Sequence, residues 1–426
     1  MSPSPRAALF QDRNFRWLLA GGAMSMLGDQ FTLIALPWLV LKLTGDPFAL
    51  GLVIAMMSVP RAIFMLLGGA LVDRYTPKRI MMLSKYASAV LLGALSALVL
   101  SGHALPMPLL YALALAIGFT QAFAIPAGTA IMPQVIDGAR LQAANGIMMG
   151  LRQLTMLAGP VLAALLIALS GDGGGAIADG RGLGIAFAID CASFVLSAWT
   201  LTRVKMLADT GARAAEPNGA RALFRSVGAG LTMVWRDTAL RTCFLYWSLI
   251  AVLVGGAMQV ALPLLASRNL HGAGALGVLI GAHGVGTLLG MALSGLGQRL
   301  RLASFGTTIL LVDGAAGLLL MPLGAITAPW HGAVLLLLVG ILGGFMQIAV
   351  FTWIQRRVPP QMLGRAMSIF MFIFMGLAPL SAAAIGALLV HISLTQLFLG
   401  GGVLMVLIAA LAYGLTPMRT ITAAST

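Results

Sequence analysis

The chain has 426 residues, of which 60% are hydrophobic and 9% charged, with 52 Gly and 25 Met, and its mean hydropathy is +0.99. That composition excludes a soluble globular domain and points to a polytopic membrane protein. A net charge of +14 would suit a nucleic-acid partner, but the basic residues are spread over short loops rather than gathered on one module, so no nucleic acid is expected.

About 20 apolar residues cross a hydrocarbon core of ~30 Å. In chain order such runs predict helices over 17–43, 48–73, 80–101, 106–131, 144–170 and 183–203. After a polar stretch they predict six more, over 241–266, 273–296, 304–325, 329–353, 364–391 and 394–416. Of the 26 Lys and Arg, only Lys42, Arg181 and Arg268 fall on predicted outer segments, and Arg61 alone falls in the membrane. That asymmetry places both termini in the cytoplasm and requires an even number of helices. The first apolar run is too long for a signal-peptide core and is expected to stay attached.

Asp29 in helix 1 sits roughly 18 Å from the inner helix end at 1.5 Å per residue, and Arg61 in helix 2 falls at a similar depth. An ionised side chain there costs about 2.5–3.5 kcal/mol on insertion scales, which pairing offsets. Asp29 is therefore a candidate site for a proton or a cationic substrate group, with Arg61 holding it ionised until the pair separates. The alternative is a static ion pair that only orders helices 1 and 2.

Helix 2 ends in Gly68-Gly69 and runs into a charged turn with Asp73, Arg74, Lys78 and Arg79, which reads as a gate hinge or as simple positive-inside anchoring. Gln121 in helix 4, Gln259 in helix 7, His283 in helix 8 and Gln347 in helix 10 are candidates for a cavity lining, or else for hydrogen bonds between helices. The Met tracts Met56-Met57, Met148-Met149 and Met367 to Met375 read as an adaptable apolar surface or as core. Asp190 is expected near the outer end of helix 6, within reach of water. Asp313 in helix 9 has no assigned role. Cys191 and Cys243 lie at different depths and are expected to be packing residues without a disulfide.

The segment 204–240 is the longest polar stretch and reads as a cytoplasmic linker between six-helix bundles at 1–203 and 241–426. Its residues 223–236 form either an amphipathic helix on the membrane surface or a solvated loop. Across it the chain resembles itself. Ala35-Leu36-Pro37 aligns with Ala261-Leu262-Pro263, and Ala49-Leu50-Gly51 with Ala275-Leu276-Gly277, at one constant offset. Arg74 and Arg140 meet Arg299 and Arg365 at an offset one residue shorter. Duplication of six helices follows, and parallel repeats of this kind place a substrate path between the halves.

With Gly69, Asp73, Arg74, Lys78 and Arg79 in the loop after helix 2, the chain resembles the major facilitator superfamily over nearly its whole length. Thr76 and Pro77 depart from that superfamily's pattern, and the second-half copy carries Gln298 before Arg299. Asn14-Phe15-Arg16, Leu27-Gly28-Asp29, Ile125-Pro126-Ala127, Leu141 to Gly146 and Gly159-Pro160 resemble the branch of enterobactin exporters and macrolide efflux proteins. The resemblance implies an all-α fold of twelve transmembrane helices in two six-helix pseudo-repeats, in a bacterial cytoplasmic (inner) membrane, as a monomer. It implies proton-coupled export of amphipathic small molecules, drug-like or siderophore-like, by alternating access. Asp73 and Arg74 would then lock the cytoplasmic side, with Arg140 and Arg365 as partners, and Gly159-Pro160 would mark a hinge in helix 5. Ala163 and Ala164, and a helix 4 without Arg between Ala112 and Ala124, depart from proton-coupled members.

A lysophospholipid carrier and a non-transporting sensor or assembly protein remain alternatives. Catalysis is not expected, and neither is a cofactor or a metal. His103, His271, His331 and His391 are scattered at outer loops, no HExxH occurs, and no Gly-rich phosphate loop precedes a Lys.

Overall fold

A computed structural model describes residues 9–74, 76–170, 180–207, 220–270, 272–294 and 304–422. The described residues are helical or loop. In chain order the long helices are α1 (Arg13–Thr44), α2 (Pro47–Arg74), α3 (Pro77–Leu100), α4 (Met107–Ala122), α5 (Ala124–Val135), α6 (Gly138–Leu169) and α7 (Arg181–Arg203). There follow α8 (Ala220–Arg236), α9 (Thr238–Ile250), α10 (Gly256–Arg268), α11 (Ala273–Ser294), α12 (Phe305–Leu320), α13 (Pro329–Arg357), α14 (Pro360–Phe372), α15 (Ala378–Leu388) and α16 (Leu394–Leu415). Among the described residues ten helices are long and apolar enough to cross a membrane, and two shorter apolar helices, Pro47–Arg61 and Met107–Ala122, accompany them.

Three expected helices are interrupted. The run expected over 106–131 breaks at Phe123, between α4 and α5. Pro126 has no N–H to offer the Ala122 carbonyl, so the ladder cannot pass that point unchanged. The run expected over 241–266 carries a π-turn at Ala251–Gly255, and that expected over 364–391 carries another at Ile373–Leu377. Residues 223–236 lie on a helix, α8, rather than a loop.

The chain divides into two compact units, Met1–Leu43 with Met56–Leu223, and Thr44–Ala55 with Phe224–Thr426. In the first, small residues set how close the helices come. Gly21 and Gly28 of α1 face Ser197, Thr200 and Ser193 of α7, where a Cβ would strike a hydroxyl, and Ser197 donates to the Gly21 carbonyl at 2.6 Å. Close approach with polar side chains bridging backbones is how helices associate when lipid is as apolar as they are. α3 joins the same group through Ser96, which donates to the Gly184 carbonyl at 2.8 Å. Cys191 is a free thiol that donates to the Ala89 carbonyl at 3.1 Å.

One end of this unit is pinned by polar contacts. Lys78 Nζ donates to the Val204 carbonyl at the end of α7, at 2.7 Å, a cation at a helix C-terminus where carbonyls lack partners. Lys205 N–H donates to Asn14 Oδ1 at 3.0 Å, and Arg140 pairs with Asp12 at 3.9 Å.

In the second unit α11 and α13 cross at backbone contact. A Cβ on Gly286 or Gly290 would strike the carbonyls of Leu337 or Ile341, and one on Gly340 or Gly344 those of His283 or Thr287. An aromatic group of Trp247, Trp353, Phe305 and Phe370 fills the inner part. Gly255 and Gly256, at the π-turn preceding α10, lie against Ala378 and Ser381 at the π-turn preceding α15.

At the base of the second unit, Asp237 caps α9 by accepting from the Ala239 and Leu240 amides, at 2.9 and 3.1 Å. It also takes both arms of Arg357, at 2.9 and 3.0 Å. Partial burial pushes the Asp237 carboxyl up, but the Arg357 bonds and the two amides outweigh it and hold the group below its ordinary value of 3.8. A group lowered in the folded state stabilises above its unfolded value and loses that contribution as pH falls through the folded one. Asp237→Asn should therefore melt below wild type at pH 7, with the gap closing as the pH is taken below 3.8; a gap of constant size in circular-dichroism melts contradicts this.

Candidate transport site

The site grows out of the α1–α7 seam. Gly28 brings the α1 backbone against Ser193 and Asp190, and the next residue, Asp29, turns toward the other helices of the unit. Asp29 is half-buried. Gln121 of α4 donates its amide to Asp29 Oδ1 at 3.3 Å, so one of the expected cavity residues lies on the expected coupling residue. Arg61 of α2 acts on Asp29 electrostatically, as its depth in the sequence suggested, but the stronger attraction comes from Lys85 of α3.

Two expectations are corrected here. Lys85 was counted with the inner helix ends; instead it is 9% exposed, and its Nζ donates to Ser25 of α1 at 3.1 Å. It also lies 5.6 Å from the centroid of Phe194. Six residues beyond Arg79, roughly 9 Å deeper along a helix, it is too far in for a rim residue, and that depth was the sequence signal. Asp190 was expected to reach water; it is 0% exposed. Thr32 of α1 donates to Asp190 Oδ2, and Ser193 donates to Oδ1 at 3.2 Å. Lys85 feels both carboxylates, Asp29 the more strongly.

The result is two acids and two bases within one helical unit: Asp29 and Asp190, Arg61 and Lys85. With all four ionised the group is neutral, which is how buried charge is tolerated at membrane depth. Of its two carboxylates Asp29 is half-buried and Asp190 fully enclosed.

The other expected residues lie elsewhere. Gly159 is buried against the Gln30 side chain, and α6 runs unbroken through Gly159-Pro160. His283 sits against the Leu336 backbone in the α11–α13 seam. Gln259 is half-buried and Gln347 exposed. Asp313 of α12 faces Tyr246 of α9. Gly69, Asp73 and Arg74 form the end of α2, and the contacts of their side chains lie outside the described residues, as do Gln298 and Arg299. Lys78 and Arg140 are engaged as given above, Arg79 is exposed, and Arg365 donates to the Met362 sulfur at 3.1 Å. An open groove of about 580 Å³, lined by Arg16, Leu19 and Ala23 of α1 and Ile147, Gly150 and Leu154 of α6, runs along the first unit. Its apolar walls suit the apolar part of a solute. Among the described residues no group of His, Cys, Asp and Glu is arranged to hold a metal.

A family model described as "Major Facilitator Superfamily" matches residues 18–382. Among curated relatives, an "Uncharacterized MFS-type transporter y4rN" of Sinorhizobium fredii is 25% identical over 410 residues, 95% of each chain. An "Enterobactin exporter EntS" of Salmonella choleraesuis is 26% identical over 339 residues, 78% of this chain and 75% of the exporter. Among solved structures, the nucleoside transporter NupG superposes with a TM-score of 0.71 at 14% identity, covering 93% of this chain and 97% of NupG. A bacterial homologue of the iron transporter ferroportin, in an inward-facing state, gives 0.65 at 18% identity, covering 93% and 98%. At those identities the structures speak for the fold alone.

Proposed function

The chain belongs to the Major Facilitator Superfamily, and on that premise we propose that it is a secondary transporter that exports an amphipathic small molecule in exchange for protons. The observation that carries this reading is Asp29, an accessible carboxylate at membrane depth held in the field of Lys85 and Arg61. A lone carboxylate in this position would be costly. One balanced by cations and served by the Gln121 amide is poised to take up and release a proton or a cationic group. The 26% identity to an enterobactin exporter favours a siderophore-like solute and outward transport. In this reading the turn from Gly69 to Arg79 locks the cytoplasmic side, and Gly159-Pro160 lets α6 adjust as access alternates.

The test is accumulation of a solute panel, holding catecholate siderophores, macrolides and lysophospholipids, in cells with and without the chain. Cells that make it should retain less of at least one siderophore-like or drug-like solute. Equal retention of every member contradicts export, and selective movement of the lysophospholipid alone reassigns the substrate.

A further inference from the structure

Resting on the reading of Asp29 as the coupling carboxylate, we infer that Lys85 is a positioning residue: a sealed counter-cation shared between Asp29 and Asp190, whose allegiance shifts to Asp190 when Asp29 is neutralised.

The argument starts from exposure. Lys85 and Asp190 are 9% and 0% exposed, whereas Asp29 is half-buried. By surface area an arriving proton or cationic solute therefore meets Asp29 before the other two. The second point is the seat built for Asp190. Its two oxygens are held by the Thr32 and Ser193 hydroxyls, and it seats against Gly28, whose missing Cβ makes room for Oδ1. The carboxylate is fixed, so what can move is the long, unbranched arm of Lys85, tethered at its tip by the Ser25 hydroxyl.

The third point is charge balance. The titratable and charged groups around Lys85 are Asp29 on α1, Arg61 on α2, and Asp190 with its neighbour Cys191 on α7. With the two acids and two bases ionised the sum is zero. A proton from solvent that binds the Asp29 carboxylate converts it to the neutral acid; Lys85 keeps all three of its protons, and the group as a whole gains one positive charge. The attraction between Lys85 and Asp29 is then gone while that between Lys85 and Asp190 remains. In a medium of low dielectric this redistribution is strong. Because Asp190 and Lys85 stand on α7 and α3 while Asp29 and Thr32 stand on α1, the same event changes how tightly α1 is held to its two neighbours. Protonation at one accessible carboxylate becomes a change in helix packing.

The sign of two substitutions separates this from a purely structural role. Lys85→Met removes the cation that favours ionised Asp29, so Asp29 keeps its proton to higher pH. Asp190→Asn removes the competitor for Lys85, so the whole attraction falls on Asp29, which then holds its proton only at lower pH. The probe is the proton alone. Infrared difference spectra of the purified full chain in detergent, taken across pH, follow the protonated-carboxyl band that Asp29→Asn removes.

Expected midpoints move up for Lys85→Met and down for Asp190→Asn, each by about one pH unit, a tenfold change in proton affinity. The double variant returns toward wild type, and Lys85→Arg stays near it. Should Lys85→Met fail to fold, the Asp190→Asn shift decides by its direction. Midpoints that do not move, or that move the same way in both variants, overturn the inference and leave Asp29 as the coupling residue. A wild-type chain with no band removed by Asp29→Asn overturns the reading of Asp29 itself, and the inference with it.

Discussion

Asp29→Asn is expected to abolish solute accumulation driven by a pH gradient while leaving downhill exchange of the same solute close to wild type. The substitution keeps the size of the side chain and its ability to accept from Gln121, so helix packing is preserved. What it removes is the negative charge that Lys85 and Arg61 face and the oxygen that takes a proton. Without that charge and that oxygen the gradient has nothing to act through, so gradient-driven accumulation should fall to the downhill equilibrium level. Gln121→Ala, which removes one donor but not the charge, should cost less and keep its dependence on the gradient. A substitution at Asp29 that slowed driven and downhill movement equally would mark a packing residue instead.

The second large effect lies far from that site. Gly290→Ala in α11 should lower the melting temperature of the purified protein steeply, because the added methyl meets the Ile341 carbonyl and the Phe345 amide, which are backbone and cannot turn aside. Overpacking of this kind costs typically about 1–3 kcal/mol. The α11–α13 contact has glycines on both faces, so no neighbouring gap absorbs the shift. Gly343→Ala is the control: it lies on α13 beside Gly344, and nothing approaches a Cβ placed there. Equal melting temperatures for the two variants would mean that the seam is looser than described.

What the sequence disclosed follows from what a single position can reveal. Helix spans were legible because a stretch long enough to cross a bilayer must be apolar almost throughout. Asp29 was legible for the complementary reason, since a lone acid in an apolar run has few tolerable explanations. Arg61 was legible beside it by depth, but Lys85 and Asp190 were not. Lys85 sits near enough to the basic inner end of α3 to pass as a topology signal, and only the fold turns it toward Ser25. Asp190 was misplaced because the groups that seal it, Thr32 and Gly28, stand on α1, far away in the chain. The interruption at Ala251–Gly255 carries no proline, so no local rule announces it, whereas Pro379, with no N–H for the Met375 carbonyl, stands just after the one at Ile373–Leu377. The glycines of α11 and α13 read as generic small residues until the facing backbone shows what each one makes room for.

The central claim is that an accessible carboxylate on α1 couples solute movement to protons. It is tested most directly in proteoliposomes containing only the purified chain and a solute that the cell panel identifies, with the pH gradient imposed in either direction. The account predicts that reversing the gradient reverses net accumulation in wild type, and that Asp29→Asn only equilibrates the solute under either gradient. Accumulation by Asp29→Asn that still follows the gradient as wild type does would contradict it.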